Sequence, residues 1–148
     1  MWELLRRFRS LGRDSRRVLV RAALLLPLIS VSLNIRGFRR THATLRQFLR
    51  NSNAEGAGAE PEMTARMVRA AARYVPVHGS CLEQSLVLWF LLRREGIASE
   101  LRIGARKSAS GFEAHAWIEC RGKALNETQE VHRHYAAFDQ ALGAAEAL

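Results

Sequence analysis

Two residues in this sequence have the type and the local setting for nucleophilic chemistry, Cys81 and His115. Cys81 lies inside Gly79-Ser80-Cys81-Leu82-Glu83, a capping-box pattern with Ser80 as the cap and Glu83 three residues later. That places Cys81 at the first position of a helix. Unpaired backbone N–H groups and the positive end of the helix dipole there favour a thiolate over a thiol. The thiolate is the reactive form, suited to attack on a carbonyl. Such a nucleophile needs a base delivered from elsewhere in the fold. Of the five histidines, only His115 falls inside a clear strand pattern, Phe112–Cys120. Glu113, His115, Trp117 and Glu119 share one face and suit the wall of an active-site groove. Phe112, Ala114, Ala116 and Ile118 point the other way, toward a core under the sheet. His42, His78, His132 and His134 fall on a basic helix, before the cysteine helix or in a polar tail, and read as surface residues.

The elements that must position these two side chains follow in order. After the cap, Leu82, Leu86, Trp89, Phe90 and Leu91 run at helical spacing and Gly96 ends the helix. Glu100–Arg106 alternates as a strand, Ser108–Gly111 turns, and Phe112–Cys120 alternates again. Arg121-Gly122 leads into a third short strand at 123–127. Upstream, residues 1–50 show a helical apolar pattern, residues 51–60 form a connector of small and polar residues, and Pro61 opens a helix through Tyr74. The organisation is a basic amphipathic helical arm (1–50), a flexible connector (51–60) and a body (61–148). The fold class is α+β, a cysteine-bearing helix packed on a small antiparallel sheet.

Charge divides the chain in the same place. Residues 1–50 hold twelve arginines against Glu3 and Asp14, whereas residues 51–148 hold eleven Lys/Arg against twelve Asp/Glu. The arm's arginines are interleaved with leucines rather than with stacking aromatics. This favours an amphipathic helical layer, with peripheral membrane contact open to it, over a nucleic-acid surface. The apolar run 22–35, broken by Pro27, is shorter than the ~20 residues a spanning helix needs. With only two cysteines there is no disulfide framework, and a reduced, cytoplasmic setting is the simpler expectation. Cys81, Cys120 and His115 lack the close spacing of a metal site, so neither metal nor other cofactor is expected.

Four segments together resemble the lasso-peptide leader peptidases, in the standalone form without a fused recognition domain. They are Ser80–Leu86, Leu91–Ile97, Glu100–Gly104 and His115–Glu119. The resemblance covers roughly residues 75–130 and extends loosely to the arginine- and leucine-rich helices before them. It implies a transglutaminase-like fold and a Cys-His-acid triad that cuts the leader from a ribosomally made precursor. It further implies a small leader-recognition protein that presents the precursor, and an asparagine-synthetase-like cyclase that closes the macrolactam. Two alternatives share these residues: acyl or amide transfer on the same fold, and a non-enzymatic basic protein that binds nucleic acid or membrane.

The resemblance also implies an acid about twelve positions after the histidine, which here is Glu127 with Asn126 beside it. The residues alone leave two registers open. A two-residue loop, Arg121-Gly122, pairs Cys120 with Lys123 and sets Asn126 diagonal to His115. A three-residue loop pairs Cys120 with Ala124 and sets Glu127 diagonal to His115. The family pattern favours Glu127.

Overall fold

The computed structural model describes residues 2–51, 58, 60–75, 79–127 and 135–137. Among these residues four helices, α1 (Trp2–Ser10), α2 (Arg13–Asn51), α3 (Pro61–Tyr74) and α4 (Cys81–Arg94), precede an antiparallel sheet of four strands. Its strands are β1 (Glu100–Ser108), β2 (Gly111–Cys120), β3 (Lys123–Ala124) and β4 (Ala136–Ala137), in the spatial order β3-β2-β1-β4. The fold is thus α+β, as expected. Two differences stand out. The third strand stops at Ala124, and the segment taken for a polar tail supplies a fourth strand, which pairs Gly104 with Ala137. Most of the connector and the histidines His78, His132 and His134 lie outside the described residues.

Helix α4 is the centre of the molecule. Its Ser80 Oγ accepts the Glu83 N–H, and the Ser80 N–H donates to Glu83 Oε2 at 2.8 Å, so both halves of the capping box are made. At the other end Gly96 N donates to Arg93 O and Ile97 N to Leu92 O, the paired bonds of a Schellman stop. Between these caps every side chain from Ser85 to Leu92 is buried. A helix apolar on all sides must be covered on all sides. The sheet covers it from one side through Leu101, Ile103, Ala116 and Ile118, and α3 contributes Ala65, Val68 and Ala71 to the same core.

Helix α2 completes the cover. Val18, Ala22, Leu26, Ile29 and Leu45 belong to the core built around α4, and Arg21 reaches Glu95 at 3.6 Å. The helix breaks at Gly37 (φ 77°, ψ 173°), where Thr41 Oγ1 donates to Gly37 O and meets Ser32 Oγ at 2.8 Å. His42, read from sequence as a surface residue, is buried between Phe38 and Trp89, because the break folds its face inward. By length and composition α2 passes for a membrane span, with a mean hydropathy of 2.0 over its most apolar window. The apolar run sits inside a 39-residue helix, so length does not count against a span. What does is its inner face, which is part of the core.

The sheet's second face carries Gly104, His115 and Trp117, with His115 directly across from Gly104. Trp117 is fully buried here beside Ala124 and Tyr135, so it forms a second small core rather than the open wall of a groove. Phe112 is 85% exposed and Ala114 is also exposed, because the hairpin tip projects past the core. A Cβ on Gly104 would stand 2.9 Å from Trp117 Cη2 and 3.0 Å from Tyr135 Cβ. Only glycine allows these two rings to close over the strand. Gly104→Ala is therefore expected to cost about 1–3 kcal/mol, lowering the melting temperature by roughly 3–10 °C in calorimetry. An unchanged melting temperature would mean that the two rings give way freely.

Candidate active site

Cys81 opens α4 and is half-buried, with its sulfur free of any disulfide. The completed capping box fixes the backbone on either side of it. The Cys81 N–H is one of the donors a helix start leaves without an intrahelical partner, so it can serve an oxyanion. Gln84, one turn along, is not so placed, because its side-chain N–H donates to Gly79 O at 2.6 Å.

His115 lies midway along β2. Its Nε2 stands 2.7 Å from Glu127 Oε1, and the histidine and glutamate side chains are 17% and 33% exposed. A carboxylate at Nε2 selects the tautomer with a proton on that nitrogen and leaves Nδ1 as the basic one. The ring is held between aromatic neighbours, Tyr135 at 5.0 Å and Trp117 at 6.3 Å between centroids. Tyr135 in turn lies under the Arg106 guanidinium and donates its hydroxyl to Glu113 Oε1, while Arg106 grips the other Glu113 oxygen at 2.7 and 2.8 Å. The Arg106 hydrogen bond holds the Glu113 carboxyl below its ordinary range. Withdrawal from water pushes the Tyr135 phenol above its own. Both groups thus keep one protonation state across neutral pH, and the imidazole's aromatic neighbour does not titrate there.

The hairpin takes the two-residue register and not the three-residue one that would have set Glu127 diagonal to His115, yet Glu127 still reaches the histidine, by another route. Cys120 pairs with Lys123 across a two-residue turn in which Arg121 (φ 52°) and Gly122 (φ 75°) both take positive φ, as a type I′ turn requires. Continued as a strand, this register would turn Glu127 to the far face. The ladder ends instead after Ala124, with one further backbone bond from Leu125 N to Ile118 O. The Ile118 N–H is then taken by the Asn126 side chain, Oδ1 accepting at 2.8 Å. Asn126 Nδ2 donates to Ser85 Oγ, also at 2.8 Å, and Ser85 Oγ donates to Ala116 O. Asn126 therefore ties the loop to β2 and α4, and the chain leaving it carries Glu127 over to His115.

That network also relates the nucleophile to the base. Ser85 sits one helical turn after Cys81, and Ala116 directly follows His115, so the Ser85–Ala116 bond pins the start of α4 to the middle of β2. Among the described residues no hydrogen bond joins Cys81 to His115. The pleat puts His115 on the face opposite Ala116, and among the described residues the β2–β3 ladder does not extend to His115. Catalysis by this pair requires the thiol and the imidazole to come within hydrogen-bond reach of one another. In unliganded sites such contacts are often long and tighten when substrate binds. No group of three or more His, Cys, Asp or Glu among the described residues could hold a metal ion.

The sequence pointed to Cys81, His115 and Glu127, but it gave no hint of Tyr135, Arg106 or the role of Ser85. The one available signal was Gly104, a glycine inside an alternating strand, which marks a close approach by something else. Comparison with known families matches residues 13–138 to the family described as the transglutaminase-like superfamily. No curated protein and no solved structure matches the chain.

Proposed function

From the premise that this chain belongs to the transglutaminase-like superfamily, which includes cysteine proteases and transferases, we propose that it is a cysteine peptidase. Its substrate in this reading is a ribosomally made lasso-peptide precursor, from which it removes the leader. The observation that carries the reading is the pairing of His115 Nε2 with Glu127 Oε1 at 2.7 Å, on a strand pinned to the capped helix that begins with Cys81. The four resembling segments narrow the substrate class.

The chemistry follows from these groups. Cys81 thiolate attacks the carbonyl of the last leader residue, and the Cys81 N–H and a second donor bind the oxyanion. Collapse of the tetrahedral adduct expels the core peptide's amine, which takes its proton from the His115 imidazolium. A thioester to the leader remains. His115 then draws a proton from water, hydroxide adds to the thioester, and the leader leaves as a carboxylic acid with the thiolate restored. Glu127 holds the ring by Nε2 and so leaves Nδ1 as the nitrogen that exchanges the proton, and its charge favours the imidazolium. A separate leader-recognition protein presents the precursor, and an asparagine-synthetase-like cyclase consumes the released core. The reaction belongs in the cytoplasm, where the thiol stays reduced.

The test is incubation of the protein with a lasso precursor, with and without its recognition protein, followed by mass measurement. Free leader acid and an intact core are the expected products. A leader bearing an amine in place of the added water would mean acyl transfer instead. Cys120 is buried in the core and takes no part in this scheme. Cys120→Ala, or a chelator in the assay, is expected to leave turnover within about two-fold of wild type. Loss of activity in either case would point to a two-cysteine metal site.

A further inference from the structure

Helix α2 is apolar on two opposite sides, and only one of them is used by the fold. Val18, Ala22, Leu26 and Ile29 enter the core, while Val20, Leu24, Leu28, Val31 and Ile35 stand between 46% and 77% exposed. The steps between these five are four, four, three and four residues, which sets them on a single stripe about 22 Å long. No charged residue occurs from position 22 to 35. Exposed arginines close both ends, Arg13 and Arg17 before the stripe and Arg36, Arg39 and Arg40 after it.

We propose that this outer stripe of α2 docks the protein on an anionic lipid surface, with the helix lying in the plane of the headgroups. Charge selects the occupant. The arm holds twelve arginines and only two acidic residues, so the ridge presents aliphatic side chains between cationic collars with almost no negative charge to discriminate against phosphate. Such a helix buries its apolar side at the acyl boundary while its arginines meet anionic headgroups. The stripe is one exposed side of a single helix, which suits a deformable bilayer. Crossing the bilayer is a different matter. A span would pull Val18, Ala22, Leu26 and Ile29 out of the core and leave α3 and α4 uncovered. Peripheral docking uses the exposed stripe and leaves the fold intact.

This inference is independent of the peptidase reading, and its test does not involve cleavage. The full chain is sedimented with vesicles of phosphatidylcholine alone and of phosphatidylcholine mixed with phosphatidylglycerol, at low and high salt. Binding confined to the anionic vesicles and lowered by salt is expected. Leu24→Gln/Leu28→Gln should weaken it ~10-fold or more, and Arg13→Gln/Arg17→Gln should reduce the preference for anionic lipid. These side chains are exposed, so the variants should keep the wild-type circular dichroism. Equal binding to both vesicles, binding to neither, or unchanged binding by the leucine variant overturns the proposal. If vesicles do not bind but the protein self-associates and the leucine variant is monomeric, the stripe belongs to a second copy. If vesicles do not bind but the purified recognition protein does, and the leucine variant abolishes that, it belongs to a protein partner.

Discussion

Under the peptidase reading proposed above, Cys81→Ala is expected to abolish cleavage of the precursor, lowering turnover at least ~10⁴-fold, while the protein stays folded and still binds the precursor. No other group in the site can form the thioester, so nothing substitutes for the sulfur. The fold has little reason to notice. The capping box is made by Ser80 and Glu83 and not by Cys81, and alanine is well suited to an early helical position. The melting temperature should therefore move by no more than a few degrees. Cleavage is followed by mass spectrometry, and precursor binding by fluorescence anisotropy in the presence of the recognition protein. Substantial cleavage by the purified variant would remove Cys81 from the chemistry. A collapse in stability would instead make it a packing residue.

The contrast between what the sequence revealed and what it concealed follows the range of the interactions. The start and stop of α4 were legible because each is written within six residues, Ser80–Glu83 at one end and Leu92–Ile97 at the other. The β1–β2 hairpin was legible for the same reason, since its two alternating runs are separated by a short turn. Trp117 was misread as a groove wall because alternation assigns a side chain to a face without saying what covers that face. Its cover is Tyr135, which arrives from a segment with no strand pattern of its own. His42 was misread because the inward turn at Gly37 is a tertiary event. The arm's charge and leucines suggested an amphipathic helix, but one apolar face looks like another in a list of residues. Only the packing shows that Ala22 and Leu26 are core while Leu24 and Leu28 face solvent.

Glu127→Gln is expected to lower turnover about 10²-fold, with little effect on stability. Glutamine keeps the length and an acceptor for the His115 Nε2 proton, so the ring should stay in place. It cannot supply the negative charge that offsets an imidazolium formed as the thiol ionises. The side chain is a third exposed, so its removal from the fold's energetics should be mild. Asn126→Ala should do the opposite. Its amide fills the Ile118 N–H and donates to Ser85 Oγ, and losing it leaves the Ile118 N–H without a partner while Ser85 Oγ keeps its bond to Ala116 O. An unsatisfied group of this kind costs about 1–3 kcal/mol. The expected result is a lower melting temperature with turnover per folded molecule only modestly reduced, and that reduction should come through looser placement of Glu127. The double substitution sharpens the distinction. If Asn126 acts through Glu127, its effect on turnover shrinks once Glu127 is already glutamine, while its effect on stability persists. Measured kcat and melting temperature for the four proteins of this cycle decide the matter. Should Asn126→Ala lose the ~10² in kcat and Glu127→Gln lose only stability, the asparagine is the group that orients His115, and the short contact to Glu127 is incidental.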